Sequence, residues 1–174
     1  MNIVSYMVAQ RELNKQAMGT HNKEKLELAI IAECGELVQE LKFGVRDDPE
    51  IGAWCWWKRE DTSWSDREFV LGEVIDILHF VLTGLIDEGW LEKPSHVIRL
   101  LEAHLDISKS KSYLRTIPET VTDIISSQRF FEKLIAWLRL VYLLGYTIKD
   151  VDDFFGQSVE KNLTRWGEQS DASE

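Results

Sequence analysis

Four acidic side chains stand inside two otherwise apolar stretches of this 174-residue sequence. Glu33 and Glu36 form one pair, and Glu73 and Asp76 form the other. On an α-helix, residues three apart project about 60° from each other, so each pair occupies one helix face. If the two helices pack together, the four carboxylates form one cage. Buried carboxylates that face one another repel unless cations lie between them, so this cage would bind hard divalent ions such as Mg²⁺.

The neighbours of these acids predict that both helices are buried. Acidic pairs at helical spacing usually lie on a solvent-exposed face and have no special function. This interpretation would explain Glu36 and Glu40 alone. It fails for the second pair, because residues 69–86 leave room only for the two acids, His79 and Thr83 on a polar face. The apolar neighbours are Ile30, Ile31, Ala32, Leu37 and Val38 around the first pair, and Leu71, Val74, Ile75, Ile77 and Leu78 around the second.

Charge and composition narrow the class of protein. The formal net charge is -10 and the pI about 4.9, which argues against nucleic acid or an anionic membrane as the main partner. Cys34 and Cys55 are too few for a disulfide scaffold, so we predict a reduced, cytoplasmic location. The N-terminal segment has no signal-peptide pattern, and the apolar residues 77–86 are too few to span a bilayer. These features predict a soluble protein.

The pattern predicts an all-α fold, a multi-helix bundle with a four-helix core that carries the paired carboxylates. Three prolines, ten glycines and no useful strand alternation support this prediction. Residues 1–174 are expected to form a single domain, with a disordered tail over residues 165–174. The predicted helices cover residues 1–18, 22–43 and 67–87, a segment from Pro94, a segment from Thr116 that breaks near Ser126 and Ser127, a core helix from about Phe130, and a last helix opened by Thr147 and Asp150 and ending at Trp166.

Residues 45–66 interrupt the helical pattern and contain four tryptophans. Trp57 and Lys58 could stack a base and contact phosphate, although tryptophans that pack between helix layers explain the composition equally well. Gln10 and Asn14, four residues apart, share a helix face, and taken alone they could be surface amides. His79 is expected to be a packed core residue.

The order of these motifs resembles the all-α nucleotide pyrophosphatases, and within them the dimeric dUTPases. The matching stretches are Glu33-Cys-Gly-Glu36, Trp54-Cys-Trp56-Trp57-Lys58 and Glu73-Val-Ile-Asp76-Ile-Leu-His79-Phe80. Gln10 and Asn14 resemble the N-terminal amides of that family that read the uracil edge. Near the other end, Lys161, Asn162 and Arg165 resemble the family's phosphate- and sugar-binding residues, although this motif is compressed here. Residues 91–146 match nothing residue by residue.

The resemblance implies Mg²⁺-dependent hydrolysis of a deoxynucleoside triphosphate, with dUTP as the predicted substrate, to the monophosphate and pyrophosphate. All four acids would bind two or more Mg²⁺ ions, and either Glu33 or Glu36 would orient the attacking water and accept its proton. The implied substrate-binding residues are Gln10 and Asn14 at the base, Trp57 beneath it, His79 at the sugar or behind Asp76, and Lys58, Lys161, Asn162 and Arg165 at the phosphates and sugar.

Three alternatives remain open from the sequence. The substrate could be dCTP or another nucleoside triphosphate, as in MazG-like enzymes. A carboxylate-bridged di-iron bundle would need Glu-x-x-His on two helices, and this chain offers only Asp76 and His79, once. A non-catalytic helical adaptor would have little use for buried carboxylates. A homodimer is expected, both from the resemblance and from the broad apolar face of residues 130–144.

Overall fold

In the computed structural model, the chain is described over residues 2–16, 21–45, 65–108 and 116–171, without the side chains of residues 43, 103–108 and 166–171. These residues form seven α-helices, two short 3-10 helices and no strand, which confirms the predicted all-α bundle. The helices are α1 (Ile3–Gln16), α2 (Lys23–Glu40), α3 (Arg67–Asp87), α4 (Pro94–Ser108), α5 (Ile117–Ser126), α6 (Phe130–Leu143) and α7 (Ile148–Asp171), with 3-10 turns at Leu41–Phe43 and Trp90–Glu92.

Local capping signals begin several of these helices where the sequence predicts. The Asn22 side chain accepts a hydrogen bond from the Lys25 amide at 2.9 Å. Thr116 and Glu119 form a capping box at the start of α5. At the start of α7, the Thr147 amide donates to Asp150 Oδ2 at 2.7 Å, and the Asp150 amide donates back to Thr147 Oγ1 at 3.2 Å. Such contacts satisfy backbone donors that have no partner within the helix.

The C-terminal end of the chain differs from the sequence prediction. Helix α7 continues to Asp171 instead of ending at Trp166, so helical backbone extends into the segment expected to be a tail. Gly167 lies within this helix. The stretch contains no proline, so no residue removes a helical hydrogen-bond donor there.

Helix α3 is the central element, and it packs against α1, α2, α6 and α7. Its buried apolar residues are Val70, Leu71, Val74, Ile75, Ile77, Leu78, Val81, Leu82 and Leu85. By length and composition alone, the whole of α3 is long and apolar enough to cross a membrane, so the argument from the ten residues 77–86 was too narrow. However, 67% of the helix's apolar window is buried within the fold. This degree of burial is that of a core helix.

Helix α6 packs its apolar face against the chain itself. Trp137 is fully buried, and its Nε1 donates to the Val74 carbonyl of α3 at 2.7 Å. The width of this face therefore does not indicate a partner subunit, contrary to the sequence argument. The residues of the face, all buried, are Phe130, Leu134, Trp137, Leu138, Val141 and Leu144.

A buried lysine that the sequence analysis missed joins three helices. Lys133 of α6 has no exposed side-chain surface, and its Nζ donates to the carbonyls of Ile124 at 2.7 Å and Ile125 at 3.1 Å. The same ammonium group lies 2.8 Å from Glu27 Oε2 of α2. A buried charge needs such partners, and here they also satisfy carbonyls at the C-terminal end of α5.

The tight contact between Gly84 of α3 and Phe130 of α6 predicts a specific effect on stability. A Cβ atom at Gly84 would lie 2.2 Å from the Phe130 ring, whereas a Cβ atom at Gly156 in α7 would meet nothing within 4 Å. Gly84→Ala should therefore lower the free energy of unfolding by about 1–3 kcal/mol through overpacking. The control Gly156→Ala should raise it by about 0.5–1 kcal/mol through helix propensity. Urea denaturation monitored by circular dichroism measures both values, and equal effects of the two substitutions would contradict the packing.

Candidate active site

Three of the predicted carboxylates converge where α2 packs against α3. One oxygen each from Glu33, Glu73 and Asp76 lies within 4.8 Å of the other two, and all three residues are half-buried. Ser65, just before α3, joins the start of that helix to the end of α2, since its Oγ lies 2.8 Å from the carbonyl oxygen of Glu40. The two helices therefore run antiparallel, and their acidic positions meet at mid-helix.

The pKa values of these carboxyl groups reflect their surroundings. Burial, followed by the charges of Asp76 and Glu36, raises the pKa of Glu33 to about 7. Burial and the neighbouring carboxylates likewise raise the pKa of Glu73 to about 7. The pKa of Asp76 is also raised, chiefly by burial, although the Lys161 ammonium opposes the shift. Without a cation, the three groups resist simultaneous ionisation.

The cluster offers a donor set that fits a hard divalent cation. Glu73 Oε2 is buried and has no hydrogen-bond partner among the described residues. A buried carboxylate oxygen without a hydrogen bond is costly, and a metal ion would satisfy it. The three oxygen ligands suit Mg²⁺ rather than a metal that prefers sulfur or nitrogen. The nearby Cys34 thiol adds no ligand, because burial raises its pKa to about 12 and it lies in the core.

Glu36 lies at the edge of this cluster rather than inside it. The described residues thus bring three of the four predicted ligands together, and Glu36 is exposed. The offset of about 60° from Glu33 on the helix turns Glu36 towards solvent. Its charge is still close enough to raise the pKa values of Glu33, Glu73 and Asp76.

His79 is a buried residue, as expected, and both of its ring nitrogens are engaged. Nδ1 lies 2.6 Å from Gln10 Oε1, and Nε2 lies 2.9 Å from Ser158 Oγ. The ring stacks on Phe155 with a centroid distance of 5.0 Å. Burial lowers the pKa of His79 to about 4, so the imidazole is neutral at physiological pH. These contacts turn His79 towards α1 and α7 and leave neither nitrogen for Asp76.

The two amides of α1 are held within the same hydrogen-bonded network. Gln10 is only 4% exposed, which excludes the interpretation as a surface amide. Its Nε2 donates to Asn14 Oδ1 at 2.8 Å. Thr83 Oγ1 of α3 lies 3.2 Å from the same oxygen and 2.9 Å from the His79 carbonyl oxygen. The amides are therefore positioned directly against the helix that carries Glu73 and Asp76.

The predicted phosphate-binding residues fall on α7 and on a segment outside the described residues. Lys161 and Arg165 are exposed and line an open groove, and Asn162 is half-buried. The positive charge of Lys161 is close enough to Asp76 to oppose the rise in the pKa of its carboxyl group. Trp57 and Lys58 both lie outside the part of the chain that the structure describes.

Sequence reasoning missed two members of the polar network. Ser158 lies one helical turn before Lys161 and Asn162, and this spacing to a suspected motif was the one available signal. Thr83 was noted as a polar residue of an apolar helix, but it was not assigned to the site. Its position four residues after His79 on the same face could have suggested the contact.

Comparison with known families shows to which family the chain belongs. The sequence model of a family described as dUTPase matches residues 2–169, nearly the entire chain. A comparison with curated proteins found no match. The match extends through residues 91–146, where no resemblance could be assigned from individual residues. The chain therefore belongs to the dUTPase family predicted from its motifs, an all-α family of nucleotide pyrophosphohydrolases.

Proposed function

We propose that this protein hydrolyses dUTP to dUMP and pyrophosphate in an Mg²⁺-dependent reaction, within a single domain. The observation that carries the proposal is the cluster of Glu33, Glu73 and Asp76, with oxygens within 4.8 Å of one another. The α1 amides and the α7 cations lie on helices that pack around the same central helix. Membership of the dUTPase family supports a nucleotide pyrophosphohydrolase. A cytoplasmic location agrees with the buried free thiol of Cys34.

Glu33, Glu73 and Asp76 would hold the metal, and Glu36 at the rim would contribute to a second ion. When bound, Mg²⁺ supplies a Lewis acid for the α-phosphate and lowers the pKa of coordinated water. The acidic protein needs these cations, because the triphosphate and the carboxylate cluster would otherwise repel each other.

Side chains of the protein would activate the attacking water and stabilise the leaving group. Glu33 or Glu36 would orient the attacking water and accept its proton, since Glu33 belongs to the cluster and Glu36 lies at its edge. Lys161 and Arg165, with Lys58, would stabilise the negative charge that develops on the departing pyrophosphate. The electrostatic influence of Lys161 on the Asp76 carboxyl group supports this arrangement, because it indicates that the ammonium group lies within range of the proposed metal ligands.

The nucleoside would bind between α1, α3 and α7. Gln10 and Asn14 would form hydrogen bonds with the base, and Trp57 would stack beneath it. Asn162 would contact the sugar. His79 holds the amides in place instead of supporting Asp76, because Gln10 and Ser158 occupy its nitrogens. The same contacts weigh against a di-iron centre, which would need histidine nitrogens as ligands.

We further propose that the protein is a homodimer that associates through the outer face of α2. Leu28 is 67% exposed and Ile31 is 44% exposed. Ala32 and Gly35 continue the same exposed face. Contiguous apolar side chains on a helix surface are typical of subunit contacts.

A substrate panel tests the reaction and its metal site together. Pyrophosphate release with Mg²⁺ should be fastest on dUTP when compared with the four usual dNTPs. Glu73→Gln should reduce turnover by at least about 100-fold, because it removes a ligand charge without changing side-chain shape. Glu68→Gln, on the exposed start of α3, is the matched control and should leave turnover unchanged.

Faster turnover of dCTP than of dUTP would show that the proposed substrate is wrong, although the proposed reaction would stand. Full activity of Glu73→Gln would refute the metal site. Absence of turnover on every triphosphate, in a folded protein with Mg²⁺, would refute the proposed function.

The raised carboxyl pKa values predict how the stability of the metal-free protein depends on pH. Glu73 has a pKa of about 7 in the fold against an ordinary value of 4.5, so its stabilising contribution is lost as pH rises through this interval. His79 has the opposite effect on stability. Burial lowers its pKa in the fold to about 4, so its stabilising contribution is lost as pH falls. The contribution of His79 is the same in both proteins. The effect of Glu73 is therefore measured by the difference in the free energy of unfolding between Glu73→Gln and the wild type at each pH.

In a chelator, Glu73→Gln should be more stable than the wild type at about pH 8, and this advantage should shrink towards about pH 5, where Glu73 itself is protonated. Urea denaturation measures the free energies of unfolding. Saturating Mg²⁺ should reverse the order at the higher pH, because the wild type gains binding energy. A difference that is independent of pH would contradict the electrostatic description of the cluster.

The proposed dimer contact predicts that a charge on the outer face of α2 separates the subunits. Size-exclusion chromatography with light scattering should give a dimer mass for the wild type and a monomer mass for Ile31→Asp, since the substitution would bury an unpaired charge. Ile98→Asp, at a residue of α4 that is 42% exposed, serves as the control and should remain dimeric. A monomeric wild type would rule out the proposal.

A further inference from the structure

One continuous chain of hydrogen bonds connects three helices behind the predicted base site. It runs from Ser158 on α7 to His79 on α3, then to Gln10 and Asn14 on α1. The three successive heavy-atom distances are 2.9, 2.6 and 2.8 Å. Each link is short enough for a hydrogen bond, so the orientation of each group constrains that of the next.

The direction of donation along this chain follows from its members. A carbonyl oxygen can only accept, so the contact between Gln10 Oε1 and His79 Nδ1 requires the proton on Nδ1. Because the imidazole is neutral, Nε2 is then an acceptor, and the Ser158 hydroxyl donates to it. At the other end, Gln10 Nε2 donates to Asn14 Oδ1.

Asn14 consequently presents hydrogen-bond donors, and not its carbonyl oxygen, to the site. Its Oδ1 is occupied by Gln10 Nε2 and lies 3.2 Å from the Thr83 hydroxyl. Its amide nitrogen has no hydrogen-bond partner within the described parts of the chain, and the residue is half-buried. The N–H groups of Asn14 can therefore donate to a carbonyl oxygen of a ligand, whereas an exocyclic amine would place another donor against them.

We propose that His79 is a positioning residue for base selection: its Nδ1-protonated imidazole fixes the amides of Gln10 and Asn14 so that Asn14 selects a pyrimidine carbonyl over an amine. This inference rests on the proposed function, because it assumes that the α1 amides face the base. Uracil carries the acceptor O4 where cytosine carries the donor N4. Thymine also carries O4, so the network does not discriminate against dTTP.

The packing around His79 holds its ring in one plane. Phe155 lies between His79 and Tyr6, with ring centroids 5.0 Å from the former and 4.2 Å from the latter. With the ring held in place, the position of its proton determines how the neighbouring amides and hydroxyl must turn. With the proton on Nε2, every bond in the chain would reverse, and Asn14 would present its carbonyl oxygen to the base. The tautomer of His79 thus sets which base edge is accepted.

The kinetic test compares kcat/KM for dUTP, dCTP and dTTP. His79→Phe keeps the aromatic stack but frees the Gln10 amide to rotate, and the preference for dUTP over dCTP should fall about tenfold, the value of one hydrogen bond. Ser158→Ala should lower the same ratio by a smaller factor. The ratio of dUTP to dTTP should stay constant in both variants, because the two bases share O4.

Tyr6→Phe is the matched control, since it alters the same aromatic stack without touching the chain of hydrogen bonds. Its ratio of dUTP to dCTP should equal that of the wild type. An unchanged dUTP to dCTP ratio in both His79→Phe and Ser158→Ala would overturn the proposal, as would an equal fall in Tyr6→Phe.

A second measurement does not depend on activity. Long-range proton–nitrogen correlation spectra of the imidazole rings report the tautomer directly, and the His79 signals can be assigned by their loss in His79→Phe. The proposal expects a neutral ring protonated on Nδ1 at about pH 7, and a ring protonated on Nε2 would overturn it. If the wild type releases pyrophosphate from no triphosphate, the proposed function fails even where the tautomer is as expected, so the two failures are distinguishable.

Discussion

The structure depends on one electrostatic constraint, the placement of Glu33, Glu73 and Asp76 in a half-buried site between two apolar helices. Burial and mutual repulsion raise the pKa values of these groups, and one buried oxygen of Glu73 has no hydrogen bond among the described residues. A stable bundle would gain from removing such a cluster, since neutral side chains would pack without this cost. Cations bound between the three carboxylates would offset this cost.

The rest of the bundle keeps this constraint in place and surrounds it with complementary groups. Helix α3 is held on several sides: Trp137 donates to its Val74 carbonyl, and Gly84 lets α6 approach closely. The same helix carries His79 one turn beyond Asp76, and through it the amides of α1 and Ser158 of α7 are joined. The proposed metal ligands, base-reading amides and phosphate-binding cations are thus positioned relative to one helix. In a site of this kind, a shift of α3 would disturb all three functions at once.

Much of the fold could be predicted because its signals are local. The caps at Asn22, Thr116 and Thr147 and the apolar period of α3 each depend on neighbouring residues, so the sequence pattern determined them. The convergence of Glu33 with Glu73 and Asp76 followed from spacing and burial. Contacts between segments that are distant in sequence were harder to predict. Lys133 with Glu27, and His79 with Ser158, depend on tertiary packing that no local pattern encodes, and the exposure of Glu36 depends on the exact rotation of α2. The apolar face of α6 was wrongly predicted to bind a partner subunit, because width alone does not distinguish a buried core helix from a subunit interface.

The central claim is that Glu33, Glu73 and Asp76 form a site for divalent metal ions. Crystals grown with Mn²⁺ in place of Mg²⁺ would test it most directly, because manganese is located by its anomalous scattering. The account predicts a peak about 2.0–2.3 Å from carboxylate oxygens of all three residues. A well-ordered structure with these side chains turned away from one another, and with manganese bound elsewhere or absent at saturating concentration, would contradict it.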